Sequence, residues 1–139
     1  MLDPATADYH GAFDTPIPAG DDRTAEQWAR DALERMPAAL YWFVLVGWRV
    51  VLGLRLGPRT SPDHIAGWEI AERSPDRVLL ATRSWLLAAE LEFRKADGKL
   101  VWTTLVGYER KPAAFIWPPV LVLHRTIVPY TLRRAAVRG

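Results

Sequence analysis

The chain has no cysteine among its 139 residues. That excludes disulfides, thiolate nucleophiles and cysteine-held metals together. It fits a reducing compartment, and the expected location is cytoplasmic. Serine is scarce too, with only Ser61, Ser74 and Ser84, each in or beside a turn. No Gly-x-Ser-x-Gly elbow occurs, so serine-hydrolase chemistry is not expected. Neither a P-loop nor Gly-x-Gly-x-x-Gly occurs, so no nucleotide cofactor is implied, and nothing else calls for a cofactor. The three histidines, His10, His64 and His124, have no second ligand at metal-binding spacing, so no metal is expected.

Long uncharged runs are also lacking. The most apolar stretch is 38–56, but its uncharged part, Ala38 to Trp48, ends at Arg49. A membrane span needs about 18 or more residues with few charges. A buried core helix is the expected reading of this stretch, and an interfacial helix marked by Trp42, Trp48 and Arg49 is the alternative. The opening Met1-Leu2-Asp3-Pro4 has no basic flank followed by an apolar run, so a secretory signal is not expected.

Charge is unevenly placed. Residues 1–35 carry eight acids and three arginines, whereas from His124 onward there are Arg125, Arg133, Arg134 and Arg138 and no acid. Such asymmetry can mark a membrane or nucleic-acid surface, but a solvated helix face explains it more simply. The arginines lack interleaved aromatics or a nucleic-acid-binding motif, and no nucleic-acid partner is expected.

The length suits one domain, residues 1–139, with a partly extended segment at 1–22. A short edge strand is expected near 8–14, where Tyr9, Gly11 and Phe13 alternate with polar residues. Thr24 and Gln27 form a capping-box pattern, and Ala25, Trp28, Ala29, Ala32, Leu33 and Met36 recur at helical spacing. Strands follow over 67–73, 77–85, 87–95 and 100–110, and Asp97-Gly98 is the dipeptide of a tight hairpin. Short turns between consecutive strands predict an antiparallel meander. A closing helix is expected over 113–138. Pro118 and Pro119 predict a break or a later start, and Pro129 a bend. The resulting fold class is α+β, with an antiparallel sheet packed against a long C-terminal helix and two helices after the first strand.

Four segments carry a resemblance: Asp8-Tyr9 with Phe13; Ala25-Glu26-Gln27-Trp28-Ala29-Arg30; Gly67-Trp68-Glu69-Ile70; and His124-Arg125-Thr126-Ile127-Val128-Pro129 with Arg133-Arg134-Ala135. In this order the chain resembles the helix-grip superfamily called SRPBCC or START-like, and within it an uncharacterised bacterial family. The resemblance implies a cavity between the sheet and the C-terminal helix, able to hold an apolar small molecule. It implies no particular reaction and no catalytic residue.

The candidate ligand-binding residues are Trp102, Thr104 and Tyr108 on one face of the last strand, with His124 and Tyr130 on the closing helix. Together they offer an apolar wall with few polar groups, the usual make-up of a ligand pocket. His124 could also be a structural histidine. Trp28, Trp68 and Trp85 read as core or pocket walls. Glu90, Glu92 and Arg94 read as a solvent-facing charged stripe. The leading expectation is binding of a hydrophobic small molecule. One alternative is a small cyclase, hydratase or isomerase using His124 or Tyr108 as acid/base. Another is an interaction protein that forms a homodimer or makes peripheral contact with a membrane.

Overall fold

The computed structural model describes residues 7–138 and has an α+β architecture. The elements run β1 (Tyr9–Pro16), α1 (Ala25–Glu34), α2 (Ala38–Val46), β2 (Thr60–Ser61), β3 (His64–Ile65), β4 (Trp68–Ser74), β5 (Arg77–Arg83), β6 (Leu87–Ala96), β7 (Lys99–Tyr108) and α3 (Ala113–Arg138). A π-helical turn, Gly47–Val51, continues α2. The opening residues read above for a signal, 1–4, lie outside the described residues.

The strands form one antiparallel sheet in the order β1-β7-β6-β5-β4-β3-β2. Strands β2 to β7 are a meander, and β1 returns from the start of the chain to pair with β7. The β6–β7 hairpin turns at Asp97 and Gly98, whose φ angles are 53° and 73°. An Asp-Gly pair tolerates that left-handed geometry, which suits a two-residue hairpin. Alternation along the strands puts Leu87, Ala89, Leu91 and Phe93 of β6, with Trp102, Thr104 and Val106 of β7, on the face that α1 and α3 cover.

Helix α1 starts where its cap predicts. The Thr24 backbone N–H donates to the Gln27 side chain at 2.8 Å, and the Gln27 backbone N–H donates to the Thr24 hydroxyl at 3.2 Å. Its apolar stripe, Ala25, Trp28, Ala29, Ala32 and Leu33, is buried against β5, β6 and α3. On its other side the Arg30 guanidinium donates to the carbonyls of Ser61 and His64, and the Glu34 carboxylate accepts from the Thr60 hydroxyl and the Ala66 N–H. These bonds hold the short β2–β3 hairpin, which alternation could not reveal in strands of two residues. The Arg23 guanidinium bonds Asp21, Asp31 and the Ala135 carbonyl and lies over the Trp28 ring, joining α1 to α3.

Four expectations need correction. The stretch 38–56 is not a buried core helix: only Tyr41 of α2 is buried, while Trp42 is 61% and Val50 74% exposed. A helix that is apolar on every side cannot turn all of itself toward one sheet. The closing helix neither breaks at Pro118 nor starts there, but runs unbroken from Ala113. Pro118, Pro119 and Pro129 deprive the carbonyls of Ala114, Phe115 and Arg125 of their helical donors. All three of those residues are exposed, so water can serve them. Trp85 is not a core wall but is half exposed, because it sits in the β5–β6 turn with its ring beside Gly53. Finally, Glu90 is only 7% exposed. It lies on the sheet's outer face between Ala81 and Leu105, whereas Glu92 on the same face meets the Arg77 guanidinium at 2.6 Å.

Candidate functional site: an apolar cavity under the C-terminal helix

The covered face of the sheet is not packed solid. A cavity of about 330 Å³ lies between the sheet, α3 and the α2–π segment. Small side chains at the centre of its floor leave this room. Ala89 pairs with Val106, and Thr104 sits between Leu91 and Gly11 on the neighbouring strands. The roof is the face of α3 bearing Trp117, Val120, Leu123, His124, Ile127 and Thr131. The side wall comes from Phe43, Val46, Trp48 and Val51, and Leu33 and Met36 reach in from α1 and its end. The π-turn shapes that wall: its widened ring is closed by the Leu52 N–H donating to the Gly47 carbonyl at 3.0 Å. Trp48 then meets Trp68 edge-on, with ring centroids 5.6 Å apart.

Among the described residues no charged side chain lines this space. The polar groups in its wall are the hydroxyls of Thr104 and Thr131, the imidazole of His124 and the indoles of four tryptophans. The Thr131 hydroxyl is already committed, donating to the Val128 carbonyl at 3.0 Å. The ring nitrogens Nε1 of Trp68, Trp102 and Trp117 and Nε2 of His124 are sealed from solvent and have no hydrogen-bond partner among the described residues. Unpaired buried donors cost stability. Ring packing, not polar bonding, therefore holds this wall.

His124 sits in an aromatic enclosure. Its ring centroid is 5.8 Å from that of Trp117, 6.1 Å from Tyr9 and 6.4 Å from Phe13. Desolvation by these rings pushes its pKa down to about 4, so the imidazole is neutral at physiological pH. Tyr9 reaches this place because residue 11 is glycine. A Cβ there would come within 2.1 Å of the Tyr9 hydroxyl.

Of the five residues singled out in the sequence, Trp102, Thr104 and His124 line the cavity. Tyr108 does not. It lies beyond Val106 at the end of the sheet, paired with Leu87, and burial raises its phenol pKa. Tyr130 does not either. It precedes the lining residue Thr131 by one position, about 100° round the helix, and is nearly half exposed. Trp117, which lines the cavity, and Tyr9, which packs on His124, are not among the five, although each has a signal. Trp117 stands two helical turns before His124, and Tyr9 alternates with Gly11 and Phe13 on β1.

A second hollow lies toward the outer side of the sheet. It is open and polar, bordered by Arg55, His64, Glu69, Arg83 and Glu90. The His64 Nδ1 is engaged there by the Ser61 hydroxyl at 2.8 Å.

No protein family and no curated protein matches the chain. Among solved structures it is similar to an uncharacterized protein from Rhizobium leguminosarum, at 15% identity and a TM-score of 0.45, over 94% of this chain and 95% of that one.

Proposed function

We propose that this protein binds a largely apolar, uncharged small molecule in the cavity between the sheet and α3, in the manner of a helix-grip domain. One observation carries the reading: the space is about 330 Å³ and its wall is apolar with only a few hydroxyl and ring-nitrogen groups. Ligand pockets run from about 300 to 1,000 Å³ and have this kind of lining. A charged group could not enter without an ion partner, because burying an unpaired charge is prohibitive. A charged end of the ligand would therefore stay at the mouth.

His124 suits hydrogen bonding better than proton transfer. A general base works best when its pKa lies near the operating pH. At about 4 the imidazole is a weak base, and its ring neighbours are aromatic rather than carboxylates.

Titration with the uncharged fluorescent dye Nile red tests the proposal. Saturable binding at one site is expected. Ala89→Phe, which fills the floor, should weaken it by about tenfold or more, a loss of roughly 1.4 kcal/mol. Dye binding that is unsaturable, or indifferent to Ala89→Phe, would contradict the reading.

A further inference from the structure

The mouth of the cavity is ringed by apolar side chains that face water. Phe43, Val46, Val51 and Leu123 line the cavity and are themselves about half exposed, so they form its rim. Around them the same two segments expose Trp42, Val50 and Val122, the last two at 74% and 67%. An apolar surface gathered at one opening marks a place where something other than water is met.

Charge identifies what is met. Residues 38–62 and 110–139 supply all of these side chains, and they hold nine of the eighteen bases and none of the sixteen acids. Arg49 lies three residues after Val46 and Arg125 three after Val122. Both are exposed, and neither makes a salt bridge among the described residues. Outside these two stretches every arginine but Arg94 is held by an acid, as Arg23 is by Asp21 and Asp31, and Arg77 by Glu72 and Glu92. Apolar side chains flanked by unpaired cations fit the boundary between lipid chains and anionic headgroups. A second copy of the chain fits poorly, because a two-fold interface would set these cations against their own counterparts. No helix among the described residues is long and apolar enough to cross a membrane, so the contact is peripheral.

We infer that the rim formed by α2, the π-turn and the middle of α3 docks on an anionic lipid bilayer, so that the cavity opens toward the lipid and exchanges its apolar ligand there without passage through water. This rests on the cavity being a ligand site. The exposed tryptophan at position 42 would sit at the headgroup level, where indoles concentrate.

Flotation with phosphatidylcholine vesicles, with and without phosphatidylglycerol, tests the docking, with Nile red binding followed in parallel. Wild-type protein should float with the phosphatidylglycerol vesicles and be released by high salt. Val50→Asp with Val122→Asp, and separately Arg49→Glu with Arg125→Glu, should each lower the partition coefficient by about tenfold or more. None of these four residues lines the cavity, so dye binding should stay within about twofold of wild type. Dye binding without flotation would overturn the docking and leave the ligand site standing. Flotation without saturable dye binding would overturn the cavity reading and, with it, ligand exchange at the bilayer. A stable dimer in light scattering that Val50→Asp dissociates would show that the rim is a self-interface and overturn the docking.

Discussion

Helices α1 and α2 lie next to each other in sequence and are both rich in apolar residues, yet they meet opposite fates. Helix α1 has its apolar residues on one stripe, buries them to a few per cent or less, and caps its start with Thr24 and Gln27. Helix α2 is apolar on every side, has no side-chain cap and buries only Tyr41. The first builds the domain's own core. The second has more apolar surface than the sheet can take, and the surplus forms the wall and rim of a cavity. The arrangement of apolar residues, rather than their number, decides whether a helix closes a core or leaves it open.

The contrast is sharpest in paired tryptophan truncations. Trp28→Ala in α1 removes a fully buried ring that Arg23 covers and should cost about 3–5 kcal/mol in urea unfolding. Trp42→Ala in α2 should cost within about 0.5 kcal/mol, the range for surface changes. Equal losses would mean that α2 is as much a part of the core as α1.

Next in size is the pH response of the hollow half. His124 has a folded pKa of about 4 against an unfolded value of about 6.5. Between these values the unfolded chain binds more protons than the folded one, so stability falls as pH drops from about 6.5 to 4. The full loss is about 3 kcal/mol. His124→Phe should flatten that window in denaturation curves taken at several pH values. Asp21, whose pKa is lowered chiefly by its hydrogen bond to Arg23, adds its own loss only at more acid pH, below about 3.8.

Smaller effects separate the floor from the turns. Gly11→Ala should displace the Tyr9 ring, loosen the enclosure of His124 and move that residue's pKa back toward 6.5, which imidazole NMR titration would show. Gly53→Ala should cost about 1 kcal/mol, because φ is +65° there and the Trp85 ring lies 3.1 Å from the added carbon. An unmoved His124 pKa in Gly11→Ala would mean that Tyr9 does not seal the imidazole.

Much of the architecture was legible in residues whose effects are local. Thr24 and Gln27 announced α1, Asp97-Gly98 announced the hairpin, and alternation placed Trp102 and Thr104 on one face. What escaped depends on surroundings. The cost of Pro118, Pro119 and Pro129 depends on whether the carbonyls they strand can reach water, and exposure of residues 114, 115 and 125 decides that. Hydrophobicity in α2 says that water is avoided, but not what replaces it. The cavity itself arises where Ala89 of β6 and Thr104 of β7 leave the floor low beneath α3, a conjunction that no single stretch of sequence displays. Tyr108 and Tyr130 look suitable on their own elements, yet a sheet end and about 100° of helix rotation take them away from the space.

An apolar ligand held in the cavity should stay with the protein through purification. Mass spectrometry of small molecules extracted from purified protein would detect it. An apolar compound is expected at near one per chain, absent from Ala89→Phe protein purified in parallel. Equal recovery from both proteins, or an empty wild-type protein that also fails to take up apolar compounds from a lipid extract, would contradict ligand binding in the cavity.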